Sequence, residues 1–154
     1  MRDPYTIPHG TILSQMGFFI GDVCYALSDA ALKKWSRHNI KQGVVTISER
    51  IGFSFVSADT YYGDGVYKAK IKNSDSDQIV EVLLPVDAGN IGIVPIDMIE
   101  EQEAHRINRS ELGYYVNGTS AELFRDTKGH YEITIRGIDL DETKNIQISI
   151  DTIC

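Results

Sequence analysis

Residues 66 to 72 are Val66-Tyr67-Lys68-Ala69-Lys70-Ile71-Lys72, so lysines alternate with Tyr67, Ala69 and Ile71. A period of two predicts a β-strand that buries one face and leaves the lysines of the other in water. Residues 131–135 and 146–150 show the same alternation of apolar and polar side chains. Because each segment offers one apolar face, we expect these strands to form an antiparallel sheet over a core.

Several short apolar runs predict further strands. They are bounded by glycine, proline or turn residues, which favours strands over helices, and they cover residues 17–20, 44–48, 52–56, 79–86 and 91–94. A turn at 126–129 is expected to join the strand 121–124 to the alternating segment that follows it.

Helices are predicted at two places. Ser28 is a typical N-cap, and residues 29–38 place Trp35 on one face and lysines on the other, as in an amphipathic helix. Residues 96–104 could form a second helix, while Val23 to Leu27 is expected to be extended. No repeat or linker interrupts the chain. We therefore predict a single α+β domain, residues 1–154, dominated by an antiparallel β-sheet or open barrel with one or two helices.

Composition and charge limit the function. The 154 residues include 22 acids and 15 Lys plus Arg, for a net charge of -7, and residues 51–154 hold 18 of the acids. An acidic surface repels phosphate backbones, so a nucleic-acid partner is disfavoured. The basic group Lys33, Lys34, Arg37 and Lys41 fits a solvated helix face better.

The apolar runs are also far shorter than the roughly 20 residues that cross a bilayer, which argues against a membrane protein. The first residues lack the apolar core of a secretory signal, and two cysteines make no disulfide framework. We therefore expect a cytoplasmic protein.

Three segments combine aspartate with glycine beside apolar or aromatic residues. They are Gly-Asp-Val-Cys-Tyr at 21–25, Thr-Tyr-Tyr-Gly-Asp-Gly-Val-Tyr at 60–67 and Val-Asp-Ala-Gly-Asn-Ile-Gly-Ile-Val-Pro at 86–95. Within the second, we predict a tight hairpin turn at 62–65 in which both glycines take a positive φ, including Gly65. The turns alone would explain these residue types, because aspartate caps turns through its own side chain.

The same segments resemble a family of small, mostly uncharacterised bacterial and phage proteins. Its pattern runs Gly-Asp-Pro-Cys-Tyr, a helix with a tryptophan, Tyr-Gly-Asp-Gly-x-Tyr, Val-Asp-Ala-Gly-x-Ile-Gly-x-Val-Pro and a late Ile-Asp-Thr, matched here at 150–152. This chain departs from the pattern at Val23, where the family has proline. The resemblance implies a common fold and no established activity. Its phage setting suggests a protein that binds a host factor or a signalling molecule.

If the three turns meet, they would form a binding site. The candidate ligand-binding residues are Asp22, Cys24, Tyr25, Tyr61, Tyr62, Asp64 and Asp87, because tyrosines beside glycine turns give rigid contact area with a polar tip. We expect a small soluble binding module that is not an enzyme and that takes a small molecule or a protein of basic or neutral character. The oligomeric state is left open.

Three alternatives remain. Converging carboxylates could hold Ca²⁺ or Mg²⁺, but no EF-hand spacing is present, and we expect neither a metal nor a cofactor. An enzyme could use Cys24 as a nucleophile with His9, His38, His105 or His130 as base, or use Asp64 and Asp87. The familiar hydrolase, nucleotide-binding and zinc motifs are absent from the sequence. A purely structural or subunit role is the third possibility.

Overall fold

The computed structural model describes residues 7–26, 46–48, 55–74, 76–96, 112–138 and 141–152. These residues form eleven β-strands and one short 3₁₀ helix, Val23–Tyr25. The strands are β1 Ile7–Leu13, β2 Phe18–Gly21, β3 Thr46–Ser48, β4 Phe55–Asp59, β5 Gly65–Asn73, β6 Ile79–Val86, β7 Asn90–Pro95, β8 Gly113–Val116, β9 Ser120–Arg125, β10 His130–Ile138 and β11 Asp141–Asp151.

The strands make two sheets that pack face to face. One sheet has six strands in the order β1-β9-β10-β11-β5-β6, and the other has five in the order β3-β4-β7-β2-β8. Neighbouring strands are antiparallel in both sheets. The predicted dominance of antiparallel β-structure is confirmed. The strands form two separate sheets, however, and these sheets do not close into a barrel.

The alternating segments supply one wall of the core. In β5 the side chains of Tyr67, Ala69 and Ile71 are buried, whereas the four residues between and before them are exposed. Apolar side chains of β2, β4 and β7 face them from the other sheet and belong to the same buried cluster. The hydroxyl of Tyr131 crosses this cluster and donates to the carbonyl oxygen of Ala58 at 2.5 Å. A buried hydroxyl needs such a partner, so this bond ties β10 to β4.

The predicted helical content is not found in the described part of the chain. The helix expected at 29–38 lies outside the described residues, as does the basic group at 33–41, and only Ile96 of the helix expected at 96–104 is described. Val23–Tyr25 was expected to be extended but forms a 3₁₀ turn, because the side chain of Asp22 caps it by accepting from the amide of Cys24. The described residues are therefore β-rich and do not show the α+β class that the predicted helices imply. Among the described residues there is no helix with the length and apolarity that a membrane span requires.

The turn at 62–65 is not a hairpin. β4 belongs to the five-stranded sheet and β5 to the six-stranded sheet, so this segment carries the chain from one sheet to the other. Gly63 has a φ of +104°, but Gly65 does not take a positive φ, and that expectation was wrong. The turn at 126–129 does join paired strands, β9 and β10, as predicted.

Candidate functional site

Four segments that are far apart in sequence meet at one end of the sandwich. They are Asp22–Tyr25 after β2, Thr60–Asp64 between β4 and β5, Asp87–Gly89 between β6 and β7, and Asp151–Thr152 at the end of β11. We call this surface the loop end. Two of these segments are crossovers between the sheets, which explains why they come together beside the ends of the central strands. The loop end thus contains all seven predicted binding residues.

Asp22 holds two of the segments together. Its side chain is fully buried, and its Oδ1 accepts from the amide of Cys24 at 2.9 Å. Its Oδ2 accepts from the amides of Asp87 and Ala88 at 2.7 and 2.6 Å. Burial raises the pKa of this carboxyl, an effect that hydrogen bonds from Ala88, Cys24 and Asp87 oppose. Both oxygens are engaged and the side chain is buried, so Asp22 links the two loops from beneath the surface.

Asn90 adds a second link between the same segments. Only 1% of it is exposed; its Oδ1 accepts from the amide of Val23 at 3.2 Å, and its Nδ2 donates to the carbonyl oxygen of Ala88 at 3.3 Å. No role for Asn90 was predicted from the sequence. Its place directly after Gly89 was the one available signal, since asparagine in such turns often bonds backbone groups.

Thr60 joins the second and third segments and was also missed. Its amide donates to the carbonyl oxygen of Gly89 at 2.9 Å. Its hydroxyl accepts from the amide of Gly63 at 3.0 Å and lies 2.6 Å from the carbonyl oxygen of the same residue. The Tyr67 hydroxyl donates to that carbonyl at 2.7 Å. The connection before β5 is therefore held at several points, although the chain changes sheet there.

Thr152 fixes the two tyrosines that precede Gly63. Its hydroxyl accepts from the amide of Tyr61 at 2.9 Å and donates to the carbonyl oxygen of Gly129 at 2.7 Å. The amide of Tyr62 donates to the carbonyl oxygen of Thr152 at 3.1 Å. Gly129 has a φ of +85°, and a Cβ there would lie 2.4 Å from the Cβ of Tyr61, so the tyrosine backbone rests directly on this hairpin turn. The threonine of the late Ile-Asp-Thr motif thus holds the backbone of Tyr61 and Tyr62 in place.

The outward face of the loop end is aromatic and acidic. Tyr61 and Tyr62 are each 61% exposed, and Asp64 and Asp87 are exposed as well. Tyr25 is half-buried and its hydroxyl donates to Oδ2 of Asp87. Desolvation first, and the neighbouring Asp87 second, raise the pKa of this phenol above its usual range. Tyr25 therefore stays neutral and remains a donor to the carboxylate at physiological pH.

Cys24 faces inward. It is 9% exposed, and its thiol hydrogen-bonds the carboxylate of Asp22, one of the contacts that oppose the rise in that group's pKa. Of the four histidines considered as its base, only the side chain of His130 is described, and its ring nitrogens lie by Asp151 and Ser149. The described contacts thus give Cys24 a packing role.

Two further tyrosines, Tyr114 and Tyr115, lie in β8. Tyr114 packs partly against the core, and the ring of Tyr115 meets that of Phe19 edge-on, with centroids 5.4 Å apart. Burial raises the pKa of Tyr115 to about 12. These two side chains stabilise the five-stranded sheet rather than forming part of the aromatic and acidic face.

Comparisons with known proteins do not assign the chain to a family. The chain matches no protein-family model, no curated protein and no solved structure. The resemblance to the bacterial and phage family stays a prediction. Within the described ranges, no group of three histidine, cysteine, aspartate or glutamate side chains is arranged to hold a metal ion.

Proposed function

We propose that this protein is a binding module and that the aromatic and acidic face of the loop end is its contact surface. The observation that carries the proposal is the pair Tyr61 and Tyr62, whose side chains are 61% exposed although their backbone amides are fixed by Thr152. A rigid backbone that holds large aromatic rings in water is a preorganised anchor, which loses little entropy on binding.

The charges favour a basic or neutral partner. Asp64 and Asp87 are exposed in segments of the same loop end as the tyrosines, and the whole chain carries a charge of -7. An arginine or lysine side chain can pair with a carboxylate and stack on a tyrosine ring at the same time. A short basic segment of a protein, or a small cationic molecule, therefore fits this chemistry. An anionic nucleotide does not, because the exposed charges described at this end are mostly carboxylates.

Each segment of the surface has a separate part in this function. Tyr61 and Tyr62 supply apolar area, Asp64 and the Tyr25–Asp87 pair supply polar contacts, and buried Asp22 sets the distance between the loops. The enzymatic alternative has less support, because the thiol of Cys24 is buried and already engaged with Asp22. If the hydrogen bonds of Asp22 are removed, binding should weaken because the loops shift and not because a contact with the partner is lost.

The test is binding to an array of short peptides that differ in charge, followed by fluorescence polarisation with the best basic peptide. We expect a double variant Tyr61→Ser/Tyr62→Ser to weaken binding at least about tenfold, as for a central aromatic anchor. Leu83→Ser is the matched control, since Leu83 is also 61% exposed but lies on β6. Its affinity should stay within about twofold of the original protein.

Asp64→Asn tests the charge contribution without changing shape. If it weakens binding of the basic peptide and leaves a neutral peptide unaffected, the carboxylate contributes to recognition. Equal loss of affinity in Leu83→Ser and in the tyrosine variant would show that the peptide binds exposed apolar side chains non-specifically, and it would refute the proposal. So would tighter binding of acidic peptides, or of nucleotides measured by calorimetry, than of basic ones.

A further inference from the structure

A second cluster of reactive side chains lies on the outer face of the six-stranded sheet, where it shares Asp151 with the loop end. His130 of β10 is directly opposite Asp151 of β11, and Glu132 is opposite Ser149. The residues between them, including Tyr131 and Ile150, point into the core. Because side chains alternate along a strand, the four polar residues share the outward face.

The distances connect three of these side chains in series. Nδ1 of His130 lies 2.5 Å from Oδ1 of Asp151, and Nε2 lies 3.4 Å from Oγ of Ser149. In the neutral ring with the proton on Nδ1, where the Asp151 carboxylate accepts it, Nε2 is an acceptor facing the serine hydroxyl. Serine, histidine and aspartate connected in this order form the catalytic triad of serine hydrolases. A serine–histidine distance above 3.2 Å is common before substrate binds.

We propose that Ser149 is a nucleophile activated by His130 and that this site hydrolyses esters with good leaving groups. Oγ of Ser149 attacks the acyl carbon while its proton passes to Nε2 of His130. The bond from the acyl carbon to the leaving oxygen then breaks, and that oxygen takes the proton. Water, deprotonated by the same nitrogen, attacks the acyl-serine, so that the acid is released and the Ser149 hydroxyl is restored. This activity goes beyond the proposed binding function and does not depend on it.

Charge around the imidazole supports the proton transfer. Asp151 stabilises the imidazolium from one side, and Oε1 of Glu132 lies 3.8 Å from Nε2 on the other. The strand amides around Ser149 belong to the sheet ladders, so they are not free to stabilise an oxyanion. Lys70, the cross-strand neighbour of Ser149 on β5, offers a positive charge on the same face. The site therefore depends mainly on general-base catalysis, worth about 10² to 10⁴ in rate, which suits activated esters.

A fluorophosphonate probe tests the nucleophile directly. Oγ of Ser149 would form a bond to phosphorus, the phosphorus–fluorine bond would break, fluoride would leave and the hydroxyl proton would pass to His130. We expect peptide mass spectrometry to find the adduct on Ser149 in the original protein and not in Ser149→Ala. Labelling should slow at least about tenfold in His130→Gln, because the general base is lost.

Ser120→Ala is the matched control. Ser120 is a half-buried serine on the same sheet face, but its cross-strand neighbour is Arg136 rather than a glutamate beside a histidine. Its loss should leave labelling and hydrolysis of p-nitrophenyl acetate unchanged. The proposal is overturned if the original protein gives no adduct, if the adduct forms only on other residues such as Tyr61, or if labelling is equally fast without His130. The adduct position in the original protein decides the matter even if a variant is unstable.

Discussion

Replacing Asp22 by asparagine should destabilise the protein although the side chain keeps its size. The carboxylate accepts three backbone hydrogen bonds, one on Oδ1 from Cys24 and two on Oδ2 from Asp87 and Ala88. Asparagine has one acceptor oxygen, and its NH₂ group only donates. In the better orientation the oxygen serves Asp87 and Ala88, and the amide of Cys24 then faces a donor.

The magnitude follows from the number of donors left unpaired. A buried donor without an acceptor costs about 1–3 kcal/mol, so the better orientation costs about that amount and the other about twice as much. For a protein of this length, 1 kcal/mol shifts the melting temperature by about 2–4 °C. We expect Asp22→Asn to lower the melting temperature by about 2–12 °C, and Asp22→Ala, which leaves three donors unpaired, to lower it further.

The pH dependence has a definite sign. The pKa of Asp22 in the folded protein is raised above 3.8, its ordinary value in the unfolded chain. At a pH between the unfolded and the folded pKa, the folded protein therefore binds more protons than the unfolded chain. The stability that this group contributes is therefore present below 3.8 and is lost as pH rises through the folded pKa. Asp22→Asn lacks this titration. The stability difference between the original protein and the variant should thus grow as the pH is lowered from 7 towards 4.

Thermal and urea unfolding at several pH values measure both effects. Asp64→Asn is the control, because Asp64 is exposed and asparagine suits such a turn; its stability should change by no more than about 0.5 kcal/mol. The assigned role of Asp22 in linking the loops is contradicted if Asp22→Asn melts like the original protein, or if Asp64→Asn loses as much stability as Asp22→Asn.

Three further outcomes are expected. Gly63→Val should cost about 1–3 kcal/mol from its φ of +104°, whereas Gly65→Val should be nearly silent in denaturation, since its Cβ meets nothing closer than 3.7 Å; equal costs would contradict the geometry. Thr152→Val removes the acceptor for the Tyr61 amide, so hydrogen exchange at that amide should accelerate, and unchanged exchange would argue against this contact. In a Cys154→Ser background, Cys24 should react with a thiol reagent at least about tenfold more slowly when folded than in denaturant, because it is 9% exposed; equal rates would restore the nucleophile hypothesis.

Most of the strands could be predicted from the amino-acid pattern alone. Alternation in β5, β10 and β11 marks a buried face because side chains of a strand point to opposite sides, whatever the strand pairs with. The apolar run at 79–86 predicted β6 with its observed bounds, Ile79–Val86. The grouping of aspartate and glycine with tyrosine or aliphatic residues at 21–25, 60–67 and 86–95 also indicated three of the four segments that form the loop end.

The arrangement of these strands and turns depends on long-range contacts that no local pattern specifies. The turn at 62–65 has the residues of a hairpin, yet it connects two sheets, because turn residues specify a local bend and not the partner of the next strand. Asp22 meets Asp87 across 65 positions of the chain, and Thr152 meets Tyr61 across 91. Such contacts depend on which strands share a sheet, and that depends on packing of the whole core. The same long-range packing turned Asp22 inward as a support for the loops and left Tyr61 and Tyr62 in water.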